Sequence, residues 1–331
     1  MRAIRLHAFG SADLLRWDEV PDPAAGPGQV RIAVRAAGVH LVDAVIRRGC
    51  GQWVPLPDLP TTPGSEVAGV VDAVGAGVDP SWLGVRVVTQ LGLASGGYAE
   101  LAVREVGALH VVPPVLGFAA AVAMICTGST ALGVLDAAAF SPDDVVLVTG
   151  AAGGVGTLLV QGISRVGAFV VGLSGCAEKR RAVLRAGAAV AVDYRRDGWQ
   201  GDVVAQLGGR EVSAVLDGVG GEVGRGALDL LAPGGRLVMF GASSGELVRV
   251  STADLFERSL TATVAVGPHV ARRAGGLRAL EARALGEAAS GRLTPVVHTF
   301  LLGEAARAHA AMESRHTVGK VVLVPDAAPC G

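Results

Sequence analysis

The run Val145-Val146-Leu147-Val148-Thr149-Gly150-Ala151-Ala152-Gly153-Gly154-Val155-Gly156 constrains this chain more than any other. Four apolar residues pass straight into a glycine-rich turn, and a helical period follows from Thr157 to Val166. Strand, tight turn and helix in that order bring backbone N–H groups and the positive end of a helix dipole to one point. That geometry suits the pyrophosphate of a dinucleotide. Gly153 would let the backbone approach the phosphates, and Gly156 would let helix and strand pack closely. The strict G-x-G-x-x-G pattern is not met, because Ala151 holds its first position. Glycine turns are common, so the surrounding pattern has to decide.

That pattern changes texture near residue 115. Beyond it, helical stretches at Phe118 to Cys126 and Gly128 to Ala139 lead to the opening strand. Strands at Phe169 to Leu173, Ala189 to Asp193, Val212 to Asp217 and Arg236 to Gly241 then alternate with helices at Ala177 to Arg185, Asp202 to Leu207 and Gly221 to Leu231. The alternation predicts an α/β fold with a parallel, doubly wound sheet, with the glycine turn after its first strand. Residues 1–110 read differently. Short strands at Met1 to Leu6, Leu14 to Val20, Gln29 to Ala36, Val67 to Val74, Gly84 to Gln90 and Gly97 to Val103 predict a barrel-like β-domain. Leu41, Val45 and Ile46 are spaced for one short helix, with Asp43 near its start. After residue 276 come a helix (Leu277 to Ala289), a strand (Val296 to Phe300), a helix (Glu304 to Glu313) and a closing strand (Lys320 to Val324).

Composition removes several function classes. The 331 residues leave room for about two domains. A net charge of −1 argues against nucleic acid or an anionic membrane as a partner held by bulk charge. No run of 18 apolar residues is free of charges or turn signals, so no transmembrane helix is expected. The cysteines at 50, 126, 176 and 330 form no C-x-x-C pair, which argues against a disulfide framework and a four-cysteine zinc site. The N-terminus opens a strand pattern without a signal-peptide core, so the expected location is cytoplasmic.

Five blocks carry a resemblance. Ala36-Ala37-Gly38-Val39-His40-Leu41-Val42-Asp43 resembles A-A-G-V-N-x-x-D, and Pro63-Gly64-Ser65-Glu66-Val67-Ala68-Gly69-Val70-Val71 resembles P-G-x-E-x-A-G-x-V. Gly96-Gly97-Tyr98-Ala99-Glu100 resembles G-G-Y-A-E, and Ala151 to Gly156 follows A-x-x-G-x-x-G. Thr317-Val318-Gly319-Lys320-Val321-Val322-Leu323 resembles T-x-G-K-V-V-L. In this order they resemble the zinc-independent, zeta-crystallin-like quinone oxidoreductases of the medium-chain dehydrogenase/reductase superfamily. The resemblance implies a GroES-like β-barrel catalytic domain (1–126 and 271–331) interrupted by a Rossmann cofactor domain (127–270). It also implies an NAD(P)H cofactor, hydride transfer, and a homodimer paired through the Leu260 to Val266 edge.

An acid after the second strand of such a sheet would bind the ribose 2′-hydroxyl of NAD. Here Ser174 and Gly175 stand at that point, and Lys179 and Arg180 follow, which favours NADPH. By the resemblance, Lys179 and Tyr194 contact the 2′-phosphate. The turn residues Ala152, Gly153, Gly154, Val155 and Gly156, with Ser174, Thr127, Phe240, Gly241 and Lys320, complete the expected cofactor site. Zinc-dependent members of the superfamily place metal ligands near His40, Ser65, Glu66 and Cys126. Ser65 replaces one ligand, so no metal is expected. His40 stands where the family has asparagine beside the nicotinamide, and it is the expected proton donor, though it can instead simply pack against the cofactor. Asp43 either assists it or caps the short helix. Trp53 and Ser129 are expected at the substrate pocket. The expected activity is hydride transfer to a quinone or α,β-unsaturated carbonyl. An enoyl-thioester reductase, a non-catalytic NADPH-binding protein and a zinc alcohol dehydrogenase are the alternatives.

Overall fold

A computed structural model describes residues 1–51, 54–92, 96–267, 272 and 275–325. Trp53 lies outside the described residues. The chain divides into two compact units. The first comprises Met1–Cys126, Ala284–Gly291 and Val296–Gly331; the second comprises Thr127–Arg283 and Arg292–Pro295. The sequence places the return to the first domain at residue 271, whereas the second unit keeps the chain through Arg283. Side chains explain the difference. Arg283 makes two N–H···O bonds of 2.7 and 2.8 Å to Asp136, and Gln161 brackets the backbone of Thr294.

In the first unit β1 (Arg2–Leu6) pairs antiparallel with β2 (Leu15–Glu19). The hub is β3 (Gln29–Val39), which is longer than the alternating sequence indicates. It pairs with β4 (Glu66–Val74) along one edge. β5 (Arg86–Gln90) continues from β4. β6 (Leu101–Glu105) covers the first half of the other edge of β3, and β7 (His110–Val111) pairs with β5. Residues 97–100 form no regular strand, contrary to the sequence reading. Their backbone is divided between the 63–64 turn, through Gly97 N–H to Gly64 O and Tyr98 N–H to Pro63 O, both 2.9 Å, and β1, through Ile4 N–H to Tyr98 O at 2.8 Å. Val30, Ile32 and Val34 alternate inward with Ile4, Leu6, Val67 and Val87 in one core. Each such side chain contributes about 1.5–3 kcal/mol by leaving water. α1 (Leu41–Arg47) follows β3 after one residue, His40. α2 (Phe118–Ala123) closes the unit's first segment.

A π-helical turn, Met124–Gly128, joins α2 to α3 (Ser129–Ala138). The whole run Phe118–Ala138 is long and apolar enough to cross a membrane by length and composition, a length the sequence reading misses by splitting it at residue 127. Its most apolar window is 67% buried inside the fold, as in a core helix.

The second unit contains β8 (Val145–Val148), α4 (Gly154–Val166), β9 (Phe169–Ser174), α5 (Ala177–Arg185) and β10 (Val190–Asp193). It continues with α6 (Trp199–Leu207), β11 (Val212–Asp217), α7 (Gly221–Asp229), β12 (Leu231–Met239), α8 (Thr252–Glu257) and β13 (Thr261–Val264). The strand order is β10-β9-β8-β11-β12-β13, parallel throughout. This is the doubly wound Rossmann sheet, and its order reverses beside β8. α4 starts at Gly154 rather than Thr157, because the glycines that weaken helix propensity belong to its first turn. A Cβ on Gly156 would stand 2.3 Å from Gly150 O, so that contact admits only glycine. β12 starts at Leu231, before the Pro233-Gly234-Gly235 turn of the sequence reading, but its ladder skips from Leu231 to Arg236 across a bulge.

α9 (Leu277–Ala289) leads back to the first unit. There β14 (Val297–Leu301), α10 (Ala305–Glu313) and β15 (Lys320–Val324) complete it. β15 lies parallel to β14 and antiparallel to β3, with Val321 opposite Val39 and Leu323 opposite Ala37. This pairing carries β3 past its expected end at Ala36.

Candidate active site

His40 occupies the single residue between β3 and α1, with extended backbone at φ −110° and ψ 154°. Its backbone N–H donates to Asp43 Oδ2 at 2.8 Å, a first-turn carboxylate closing the helix start. Tyr98 OH donates to the same oxygen at 2.8 Å, and His309 Nε2 stands 3.2 Å from that hydroxyl. Asp43 therefore caps the helix and anchors Tyr98; it makes no side-chain bond to the His40 imidazole. Burial raises the Asp43 pKa against the pull of His40, the bound backbone N–H, Tyr98 and Lys320. Burial also drives His309 down to about 3, so this imidazole is neutral. Tyr98 lies in the G-G-Y-A-E block but its pairing with Asp43 is not legible there, and nothing local marks His309. Tyr98 and His309 sit 211 positions apart and meet only in the fold.

Above this network lies an ionic cluster. Glu66, wholly buried, opens β4 directly across from Gly38 on β3. A Cβ on Gly38 would fall 1.8 Å from Glu66 Oε1, so the glycine of A-A-G-V and the acid of P-G-x-E share one volume. Lys320, the first residue of β15, places Nζ 2.7 Å from Glu66 Oε1 and 2.9 Å from His40 Nε2. His40 Nε2 is itself 2.8 Å from Glu66 Oε1. Burial alone would raise the Glu66 pKa, but His40 and Lys320 outweigh it and hold the carboxyl at about 2. The sequence assigns Lys320 to the cofactor. Its ammonium is engaged by Glu66 and His40, and only 5% of the side chain is exposed. Exposure rises outward along the cluster, from Glu66 (0%) to His40 (17%).

His40, Glu66 and Cys126 each offer a ligand atom within 4.8 Å of the other two. Zinc accepts such donors. The fit is nevertheless poor. A lysine cation already sits on two of the three, and Ser65 offers no imidazole.

In the second unit the C-terminal ends of the parallel strands carry the cofactor candidates. Ala152, Gly153, Gly154, Val155 and Gly156 form the turn and first helical residues after β8. Thr149 Oγ1, just ahead of them, donates to Asp217 Oδ1 at 2.7 Å and accepts from Gly218 N–H at 2.9 Å. Asp217 also accepts from the N–H groups of Val219 and Gly220, each at 3.1 Å. This buried pair, unnoticed in the sequence, shapes the loop after β11. Phe240 and Gly241 follow β12 against Gly218. Thr127 and Ser129 are buried, Thr127 in the π-helical turn and Ser129 at the start of α3. Ser174 ends β9 with its hydroxyl buried and without a hydrogen-bond partner. No carboxylate follows on its own strand. Lys179 stands in the first turn of α5, and Tyr194 OH lies 3.6 Å from where a Cβ on Gly175 would be. An orphaned hydroxyl, a phenol and a lysine at the ribose end of such a sheet fit the 2′-phosphate of NADPH.

Comparison with known proteins gives the following likenesses. A model of the alcohol dehydrogenase GroES-like domain matches residues 26–114, and one described as zinc-binding dehydrogenase matches residues 186–323. The quinone oxidoreductase of Pseudomonas aeruginosa is 32% identical over 327 residues, covering 98% of this chain and 99% of its own. The 2-haloacrylate reductase of a Burkholderia species is 32% identical over 333 residues, covering 97% and 98%. The crystal structure of Escherichia coli quinone oxidoreductase complexed with NADPH shares 30% identity at a TM-score of 0.86, covering 98% and 100%.

Proposed function

The chain belongs to the quinone oxidoreductase family of the medium-chain dehydrogenases/reductases, and from that premise we propose that it reduces quinones or α,β-unsaturated carbonyls with NADPH and without a metal. NADPH, when bound, supplies a hydride. The second unit would hold it through the 152–156 turn, Ser174, Lys179 and Tyr194. As the acceptor is reduced, negative charge builds on its carbonyl oxygen, and a donor aimed there lowers the barrier. His40 is that donor. Its Nε2 is engaged inside the cluster by Lys320 and Glu66, which leaves the other ring nitrogen for an acceptor. A proton passed from His40 to the reduced oxygen can be replaced from Lys320, so the cluster serves as a small proton store.

The observation that carries the metal-free reading is the Lys320 ammonium lodged on Glu66 and His40. It supplies the positive charge that zinc supplies elsewhere in the superfamily. The 2-haloacrylate reductase relative supports activated alkenes alongside quinones as acceptors. The test is NADPH oxidation across quinones, enones and enoyl thioesters, with metal content measured on the same sample. Turnover of quinones or enones at negligible zinc is expected. Stoichiometric zinc would overturn the metal-free mechanism, activity on enoyl thioesters alone would reassign the substrate, and NADPH binding without turnover of any acceptor would remove the enzyme reading.

The same reading includes a cytoplasmic homodimer. Free thiols at Cys50 and Cys176 suit a reducing compartment. All four residues of the edge strand β13 are exposed, Val264 is 56% exposed and Phe256 is 90% exposed. A bare strand edge beside large apolar groups is a pairing surface. Ala262→Pro, which removes an N–H on the open side of β13, is expected to leave a monomer in sedimentation experiments. A wild-type monomer would dispose of the dimer.

A further inference from the structure

Sequence alone finds no acid at the ribose end of β9. The fold supplies one from the neighbouring strand. β10 lies beside β9 with Asp193 opposite Ser174, so Asp193 stands next to the position where a ribose-binding acid acts. It is not free to act there. Arg195 binds it three ways: backbone N–H to Oδ1 at 3.1 Å, Nε to Oδ1 at 3.2 Å, and Nη2 to Oδ2 at 3.3 Å. Arg180, from the first turns of α5, adds Nη1 to Oδ2 at 2.8 Å. Two guanidinium groups on one carboxylate leave a local charge of about +1. The clamp also sets where Arg195 lies. A Cβ on Gly175 would meet Arg195 Cδ and Nε at 3.2 Å each, with Tyr194 OH beyond them. The guanidinium thus stands over the residue that follows the orphaned Ser174 hydroxyl, with Nη1 and part of Nη2 uncommitted.

Resting on the NADPH reading, we propose that Arg195, clamped by Asp193, is a 2′-phosphate ligand and the residue that sets this chain's preference for NADPH over NADH. Asp193 has two effects in this arrangement. It pre-orients the guanidinium fork, which matches phosphate geometry. Left without its arginines, it would repel the phosphate and offer an acceptor to a 2′-hydroxyl. Removing Arg195 therefore deletes an attraction and leaves Asp193 to neutralise Arg180, the one remaining guanidinium of the clamp.

The test is calorimetric binding of NADPH, NADH and the fragments 2′,5′-ADP and 5′-ADP, none of which needs turnover. Arg195→Ala is expected to weaken NADPH and 2′,5′-ADP by about ten- to a hundredfold while leaving NADH and 5′-ADP within about threefold of wild type. Adding Asp193→Asn to Arg195→Ala is expected to recover part of the NADPH loss. Arg195→Lys, which keeps the charge but not the fork, is expected to fall between. Equal weakening of NADPH and NADH would show a structural role only and overturn the proposal, as would an unchanged NADPH affinity. No recovery in the double variant would overturn the clamp. Wild-type protein binding NADH as tightly as NADPH would overturn the cofactor reading itself, a result distinct from a wild-type preference that survives Arg195→Ala.

Discussion

Lys320→Met is expected to destabilise the protein by about 3–5 kcal/mol, the cost of leaving a buried carboxylate without its cation. Glu66 is wholly buried, and Lys320 is a cation that helps hold it ionised. The sign with pH follows from the same pair. The folded-state pKa of Glu66 is lowered from 4.5 to about 2, so its contribution is present above about pH 4.5 and is lost as the pH falls toward 2. His309 adds to this acid sensitivity. Below about pH 6.5 the unfolded chain takes up a proton that the folded chain refuses until about 3. In Lys320→Met, burial of Glu66 faces weaker opposition and the carboxyl takes up a proton at higher pH. The double variant Lys320→Met/Glu66→Gln should regain most of the lost stability, because a neutral pair carries no unpaired charge. It should not regain turnover, because the proton store is gone. Urea midpoints and turnover measured on both variants separate the two effects. Wild-type stability in the single variant would show that the ammonium does not balance Glu66.

His40→Ala is expected to lower turnover by about 10²–10⁴, the usual worth of a positioned proton donor, while changing NADPH affinity little. The imidazole is the only partly exposed member of its cluster, and its helix-capping role rests on its backbone N–H, which alanine retains. Loss of the imidazole leaves Glu66 to Lys320 alone, so urea midpoints are measured beside turnover to separate a stability loss from a catalytic one. His40→Gln, a hydrogen-bond donor that cannot give up a proton, separates polarisation from proton transfer. Wild-type turnover that stays flat between about pH 6 and pH 8 would remove His40 from the chemistry.

Periodicity and turn chemistry made the architecture legible. β8 and the glycine turn could be located because Val145 to Val148 is uninterrupted and Gly156 has a steric duty. The ends of elements were harder. α4 begins inside its glycines, where propensity argues against helix. β3 runs on to Val39 because a strand some 280 residues later pairs with it. The candidate site was half legible. His40, Asp43 and Glu66 were found from their blocks, and the structure brings those blocks to one place. Their relations were not legible. Lys320 pairs with Glu66; Tyr98 and His309 back Asp43; and Asp193 reaches Ser174 only through strand register. Each is a contact between distant positions, which no local pattern encodes.

The placement of β15 has a consequence for how the chain is made. Ala37 to Val39 gain the partner on their second edge only from residues 321–323, and Glu66 gains Lys320 from the same strand. During synthesis, the second unit is made before these partners exist. The first unit must then wait with an open strand edge and a carboxylate that cannot yet be buried at low cost. The second unit, contiguous from Thr127 to Arg283, has its whole sheet in hand by then. Vectorial synthesis favours the inserted unit folding first and the interrupted one closing around its ion pair last.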